Sequence, residues 1–273
     1  MKRGFILAAA IASLVLCCFG AGCSQGKQEE SFTEDEIKME GHTETEEPSP
    51  SDKIEELDGL QNVKRMAYTL LGNKAYSTES YGTVSTKVLF ISYTQEVWSY
   101  KDYKDGVMVS EDIAKSSLVN TATQSCFKGD RALFRGAADS SPSKWNGRST
   151  EWDNSSEPSN YTMEDYLPVY GLPSTEFSVY VLNADTLKSW SEVTVNADGT
   201  YSQTIYPDVE SAPKFYRCRM KTMGGLSELP TFNSIAITYT FDKEWRVLKS
   251  RTVENYSIDM WQLAICVSRS ATC

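Results

Sequence analysis

The residues able to do chemistry in this chain are few and scattered. Histidine occurs once, at His42, and the seven cysteines are Cys17, Cys18, Cys23, Cys126, Cys218, Cys266 and Cys273. His42 lies in an acidic N-terminal stretch, so residues 59–273 hold no histidine. That removes Ser-His-Asp and Cys-His catalysis and every His-ligated metal site from that part of the chain. The last four cysteines form no C-x-x-C pair, which argues against a zinc or thioredoxin-like site. Asp139 with Asp153, or Glu151 with Asp153, would supply the two acids of a glycosidase. Both pairs sit in a polar stretch where lone carboxylates are ordinary. No glycine-rich phosphate loop follows a strand, and no EF-hand spacing occurs. The expectation is a non-enzymatic chain without metal or cofactor.

Cys23 stands apart by its setting. Lys2 and Arg3 open the chain, and residues 4–22 carry no charge. A basic start followed by an apolar run is the layout of a secretory signal; an uncleaved span of similar length is the competing layout. Either places the rest of the chain outside the cytoplasm. The run closes Phe19-Gly20-Ala21-Gly22-Cys23-Ser24, and this segment resembles the lipobox of bacterial lipoproteins. Gly20 departs from the branched aliphatic usual at that position. The resemblance implies cleavage after residue 22, a diacylglycerol on the Cys23 thiol and attachment to the outer face of a bacterial cell membrane. Cys17 and Cys18 fit less well, being preceded by Leu16 and Cys17 where a small residue is wanted.

The charge distribution separates a spacer from a body. Residues 24–58 hold thirteen carboxylates against three lysines, a net of −10 that equals the charge of the whole chain. With Lys2 and Arg3 contributing +2, everything after Asp58 sums to −2. Few apolar residues precede Ser51, and Pro48-Ser49-Pro50 interrupts them, so residues 23–58 read as an anchored, disordered acidic tether. Self-repulsion would extend it to an end-to-end distance on the order of 30 Å or more. Residues 59–273 read as a single extracytoplasmic domain, large enough for one core. A nearly neutral body lacks the basic stripe that nucleic-acid binding requires.

The body reads as α+β with a mainly antiparallel sheet. Leu57, Leu60, Val63, Met66, Ala67, Leu70 and Leu71 recur at helical spacing, and Gly72-Asn73 stops them. Strands are predicted at residues 86–93, 96–100 and 107–109, the last two flanking the turn Asp105-Gly106. A second hairpin is predicted around Gly129-Asp130. Residues 138–162 read as a long polar loop, 163–170 as a short helix and 177–182 as a strand. A hairpin is expected around residues 196–199. A helix follows, with Ser211 at its N-cap region, Pro213 in its first turn and Gly224-Gly225 closing it. Residues 234–241 and 245–253 form the last predicted strand pair; Cys266 and Cys273 lie beyond it with no recognisable closing element.

Leading helix, hairpin series and the block of residues 211–256 together resemble the half-barrel of the periplasmic lipoprotein-carrier group (LolA- and LppX-like). Such blocks also resemble those of uncharacterised surface lipoproteins of Gram-positive bacteria. The resemblance implies a curved sheet closing over helices, with an apolar or lipid ligand on its concave face. Trp98, Tyr100, Met108, Phe127 and Phe134 would line that face, although filling a core is the commoner fate of such residues. The alternative is a glycan or cell-wall binding module using Trp145, Trp152, Tyr161 and Tyr166 as stacking faces. The four body cysteines allow three disulfide pairings; Cys126 and Cys218 also read as buried small apolar residues. If Cys23 carries the lipid, palmitate labelling of the whole chain disappears in Cys23→Ala; labelling that survives the substitution sinks the assignment.

Overall fold

The computed structural model describes residues 42–88, 91–115, 120–138, 159–224, 226, 228–260 and 263–272. Cys23, the tether up to Gly41, and the loop residues Asp139, Trp145, Glu151, Trp152 and Asp153 lie outside them.

Helix α1 spans Gly59–Leu71. It starts two residues later than the apolar spacing suggests because Asp58 builds a capping box: its carboxylate accepts from Gln61 N at 2.7 Å, and the Gln61 side chain accepts from Asp58 N at 3.0 Å. Val63, Met66 and Ala67 are buried, as the spacing requires.

Six strands then form a meander: β1 (Ala75–Val88), β2 (Ile91–Lys104), β3 (Val107–Lys115), β4 (Asn120–Lys128), β5 (Arg131–Ala138) and β6 (Ser159–Thr162). The expected turns are present. Asp105 and Gly106 take φ of 47° and 82°, and Gly129 takes φ of 57°, the left-handed backbone that tight hairpins need. One expectation fails here. Residues 86–93 are not one strand, because Val88 pairs with Ile91 and the chain reverses between them. A run of β-branched and aromatic residues does not reveal a turn that lacks glycine, asparagine or proline.

Helix α2 covers Met163–Tyr170, as predicted, with the Thr162 hydroxyl accepting from Asp165 N at 3.1 Å. Residues 177–182 are a second correction. They alternate like a strand but join no sheet. Their backbone is satisfied irregularly, with Val181 N donating to Ala212 O and Leu182 O accepting from Glu44 N.

The chain continues through β7 (Leu187–Trp190), β8 (Thr194–Val195), β9 (Tyr201–Pro207), α3 (Lys214–Gly224), β10 (Thr231–Phe241), β11 (Val247–Met260) and β12 (Leu263–Thr272). The strand order is β6-β5-β4-β3-β2-β1-β12-β11-β10-β9-β7, with β8 paired to β9. Every pairing is antiparallel. The sheet is curved and does not close into a barrel, so the fold is an α+β half-barrel. Its edges, β6 and β7, are four residues each, a length that limits edge-to-edge pairing. The segment holding Cys266, expected to lack a closing element, is β12, which inserts between β1 and β11 and joins the two halves.

The concave face is filled by two apolar clusters. One gathers Val63 and Met66 of α1, Tyr216 and Met220 of α3, and Ile205, Ile237, Phe241 and Tyr256 of the sheet. The other gathers Met108, Phe127 and Ala132 with Tyr166 and Leu167 of α2. Phe215 belongs to the second cluster, so consecutive residues of α3 bind the two together. Cys126 and Cys218 are buried free thiols, as their small-apolar reading expects, and are not bonded to each other.

Residues 42–58, read from composition as the end of the tether, pack on the body. Arg65, 5% exposed at its side chain, holds Asp52 at 2.7 Å and Glu46 at 3.2 Å, and Lys64 holds Glu44 at 2.5 Å. Glu46 N also donates to Lys64 O. The acids that read as a self-repelling spacer are here counter-ions of two cations on α1.

Beneath this strap lies a buried amide junction. Asn62 Oδ1 accepts from Trp245 Nε1 at 2.9 Å, and Asn62 Nδ2 donates to Gln203 Oε1 at 3.1 Å. Gln203 Nε2 in turn donates to Ser191 O at 3.1 Å. Trp245 was expected to begin a strand; instead it sits in the turn before β11 with φ of 56°. That backbone is uncommon for a non-glycine residue, and the indole bond to α1 holds it. Gly59 is required nearby, since a Cβ there would lie 2.4 Å from the Trp190 ring. Because a buried polar group deprived of its partner costs about 1–3 kcal/mol, Asn62→Ala should lower the unfolding free energy by about 2–3 kcal/mol in urea titration. Exposed Lys243→Ala should stay within about 0.5 kcal/mol.

Candidate functional site

Register decides which side chains can meet on the concave face. Tyr76 pairs with Tyr103 and Tyr103 with Met108, so these three point the same way as the core residues Phe127 and Ala132 that follow in the row. The next row holds Lys101 and Ser110, opposite Ser125. Trp98 and Tyr100 have the opposite parity and leave this face. Trp98 instead stands 5.4 Å from the Tyr81 ring with Lys115 Nζ 5.0 Å from its centroid.

The other three residues expected on the concave face are on it, but as core. Met108 is fully buried and Phe127 is 4% exposed. Phe134 stacks on Tyr166 at 5.5 Å with an interplanar angle of 5°. Tyr161 and Tyr166, expected as exposed stacking faces, belong to the same aromatic cluster: Tyr161 stands 5.5 Å from Tyr170, and Tyr166 has no exposed surface. They pin α2 to β5 and β6. The glycan reading loses half of its stacking faces for that reason.

Space opens elsewhere. At the end of the sheet where β1 starts and β2 turns into β3, a cleft of about 600 Å³ is bounded by Tyr76, Tyr103, Val107 and Val109, with Asp102 and Lys104 among its polar lining. Its volume lies within the roughly 300–1,000 Å³ of small-molecule sites. Tyr76 and Tyr103 stack at 5.1 Å and 29°. Burial, with Tyr103 and the Glu176 charge beside it, pushes the Tyr76 phenol up to about 12, so Tyr76 is a neutral hydrogen-bond donor across the physiological range.

A second cavity of about 170 Å³ lies where the two half-sheets part. The ladder of β12 reaches only Tyr81 on β1 and Arg251 on β11, so residues 75–80 and 247–250 run on without it. The cavity is lined from one side by Lys101 of β2 and from the other by Ser250 and Thr252 of β11, with Arg219 of α3 and residues 173–180 over them. This irregular segment is firmly held. The Phe177 ring stacks on Tyr239 at 5.5 Å, Glu176 N donates to Pro173 O, and the Tyr180 hydroxyl donates to the buried carboxylate of Glu254. Tyr216 also donates to Glu254, at 3.4 Å.

His42, placed by its sequence context in a tether, lies beside this cavity. Its Nδ1 is 3.0 Å from Glu176 Oε1. The hydrogen bond to Glu176 raises the imidazole from its ordinary 6.5, against the opposing effect of partial burial.

The residues missed by sequence reasoning are Tyr76, Tyr103, Lys101, Glu176 and Arg219. Lys101 and Tyr103 alternate on one strand, a readable signal. Glu176 and Arg219 reach the cavity from an irregular segment and a helix, and no local pattern announces that.

No protein-family model matches the chain, and no curated protein matches it. Among solved structures, the chain is similar to one described as a DUF1329 family protein from Desulfovibrio piger ATCC 29098. Identity is 13%, coverage is 75% of this chain and 89% of that one, and the TM-score is 0.27. A score that low bears on neither the fold nor the site.

The His42–Glu176 pair carries a pH signature. Because the folded-state value lies above the unfolded one, the stabilisation is fully present below about pH 6.5. It is lost as pH rises through the raised folded value. With His42 half-exposed the effect is small. The urea midpoint of the wild type should therefore fall slightly more between pH 6 and 8 than that of His42→Ala; identical slopes would rule the pair out as a contributor.

Proposed function

We propose that this chain is a lipid-anchored, non-enzymatic protein of the outer face of a bacterial cell membrane that binds an apolar ligand, an acyl chain, in the cleft at the tips of β1–β3. The observation that carries the reading is the cleft itself: about 600 Å³ bounded by the stacked Tyr76 and Tyr103 together with Val107 and Val109. Apolar walls with a few polar groups are the usual composition of a small-molecule site. Burying a chain there would stabilise the complex by about 0.8 kcal/mol per methylene.

The location of the ligand site differs from the one the aromatic residues suggest. Met108, Phe127 and Phe134 are committed to holding α2, so the ligand is assigned to the end of the sheet and not to its middle. Anchorage rests on Lys2, Arg3, the uncharged residues 4–22 and Cys23. The strap at residues 42–58 then sets the body at a fixed attachment point, and the free length of the spacer is shorter than the acidic run by the residues that pack on α1.

A test uses the whole chain in lipid nanodiscs, with empty discs subtracting partition into the bilayer. Uptake of a fluorescent fatty acid should weaken about tenfold or more in Val107→Glu, which puts a charge on the cleft wall at a half-buried position. Uptake unchanged by that substitution removes the cleft from the reading.

A further inference from the structure

We infer that residues 173–179 are a lid over the cavity of about 170 Å³ and that the His42–Glu176 pair is its latch, so that the N-terminal strap controls access to the gap between the half-sheets. The lid is a different element from the cleft proposed for an acyl chain, and neither depends on the other.

Both ends of the span are fixed. Leu172 is buried in the second apolar cluster, and Tyr180 is buried with its hydroxyl on Glu254. Just beyond, Val181 N donates to Ala212 O. Between these ends the chain turns without joining a strand or helix. The bonds its backbone enters are local: Glu176 N donates to Pro173 O at 3.2 Å, and Tyr180 N to Ser178 Oγ at 3.1 Å. Among the described residues, the specific side-chain contacts that join it to other elements are the Phe177 ring on Tyr239 at 5.5 Å and the Glu176 carboxylate on His42 at 3.0 Å. A span held by so few contacts opens at low cost while the core stays closed.

The place of the span makes it a lid. Its residues form one side of the cavity, and Ile237, Tyr239, Ser250 and Thr252 of β10 and β11 form the floor opposite. Phe177 covers Tyr239, so lifting the span uncovers that floor.

His42 can act as a latch because the chain behind it is anchored to α1 and to the fixed end of the span. Glu44 N donates to Leu182 O at 3.1 Å, the Glu44 carboxylate is paired with Lys64, and Glu46 N donates to Lys64 O at 3.2 Å. The Glu176 side chain is only 15% exposed, so removing the imidazole leaves a largely buried carboxylate that gains by swinging out to water. The other charged groups lining the cavity are Lys101 and Arg219, while Tyr76, which feels the Glu176 charge, is neutral. The hydrogen bond to Glu176 holds the imidazole above its ordinary 6.5. The latch is therefore strongest below about pH 6.5 and weakens as pH rises through the raised value.

The experiment puts a thiol on the cavity floor with Ser250→Cys, in the whole chain in lipid nanodiscs, and follows alkylation at position 250 by mass spectrometry. When closing outruns alkylation, the rate reports the open population. At pH 6, adding His42→Ala or Glu176→Gln should raise the rate equally, by up to about fivefold, the factor that a partly exposed ion pair supplies. Phe177→Ala should raise it further, and Lys243→Ala should leave it unchanged. The ratio of the His42→Ala rate to that of the latched protein should fall toward one as pH rises to 8. Hydrogen-exchange protection of β9 should be the same in every variant. A rate unaffected by His42→Ala overturns the latch, and a rate unaffected by Phe177→Ala overturns the lid with it. A larger effect of Glu176→Gln than of His42→Ala assigns the closure to the cavity cations and overturns the latch, as does a ratio that does not change with pH. Loss of protection in β9 alongside faster alkylation marks loosening of the whole body and overturns both.

Discussion

The double pairing of β12 is the constraint on which the rest of the molecule depends. Its residues hydrogen-bond β1 on one side, from Tyr81↔Thr272 to Val88↔Ile265, and β11 on the other, from Arg251↔Thr272 to Met260↔Leu263. Without it the chain would be two separate sheets, one of six strands folded by local hairpins and one built on β7–β11. The pairing of β12 with β1 spans about two-thirds of the chain, so its closure entropy is set against contacts that only the assembled sheet supplies. The same ladder also creates the candidate site, because it stops short of the ends of β1 and β11. The two half-sheets part there, and Lys101 faces Ser250 and Thr252 across the gap.

The halves are also tied from the concave side, and there the ties are of two kinds. Phe215 and Tyr216 place consecutive side chains of α3 in the two apolar clusters, an attachment without directional demand. The polar ties are directional. Asn62 uses both ends of its amide, one on Trp245 and one on Gln203, and so sets the rotation of α1 relative to β9 and the β10–β11 turn. Arg65 does the same for the strap through Asp52 and Glu46. Ion pairs whose acids remain partly exposed add little net stability. Their effect here is positional: they hold residues 44–52 on α1 and so bring His42 to Glu176, at the rim of the small cavity.

Local signals were enough wherever the controlling interaction was local. The helix Met163–Tyr170 and the glycine turns at 106, 129 and 199 were legible, because each depends on residues within a few positions. Residues 86–93 and 177–182 were misread for one shared reason. Alternation and β-branching describe what a strand tolerates, whereas strand formation requires a partner. Residues 177–182 find their partners in Glu44 and Ala212 instead. Trp98 and Tyr100 show the same limit one step further on. Their strand was legible, but its facing is set by register with β1 and β3, and a one-residue difference in parity reverses every side chain.

By itself the sequence determined two basic residues and an uncharged run up to Cys23, an acidic run followed by a nearly neutral body, and an antiparallel α+β class. Those are matters of composition and short-range pattern, and they need no knowledge of what touches what. Only the tertiary structure decided that residues 42–58 of the acidic run pack on the body, since that depends on Arg65 and Lys64 facing them. It also decided that the middle of the concave face is solid core, and that the open space lies at the tips of β1–β3 and in the gap beyond β12. Cavities are made by what long-range pairing leaves unfilled, and no window of sequence contains both sides of the gap.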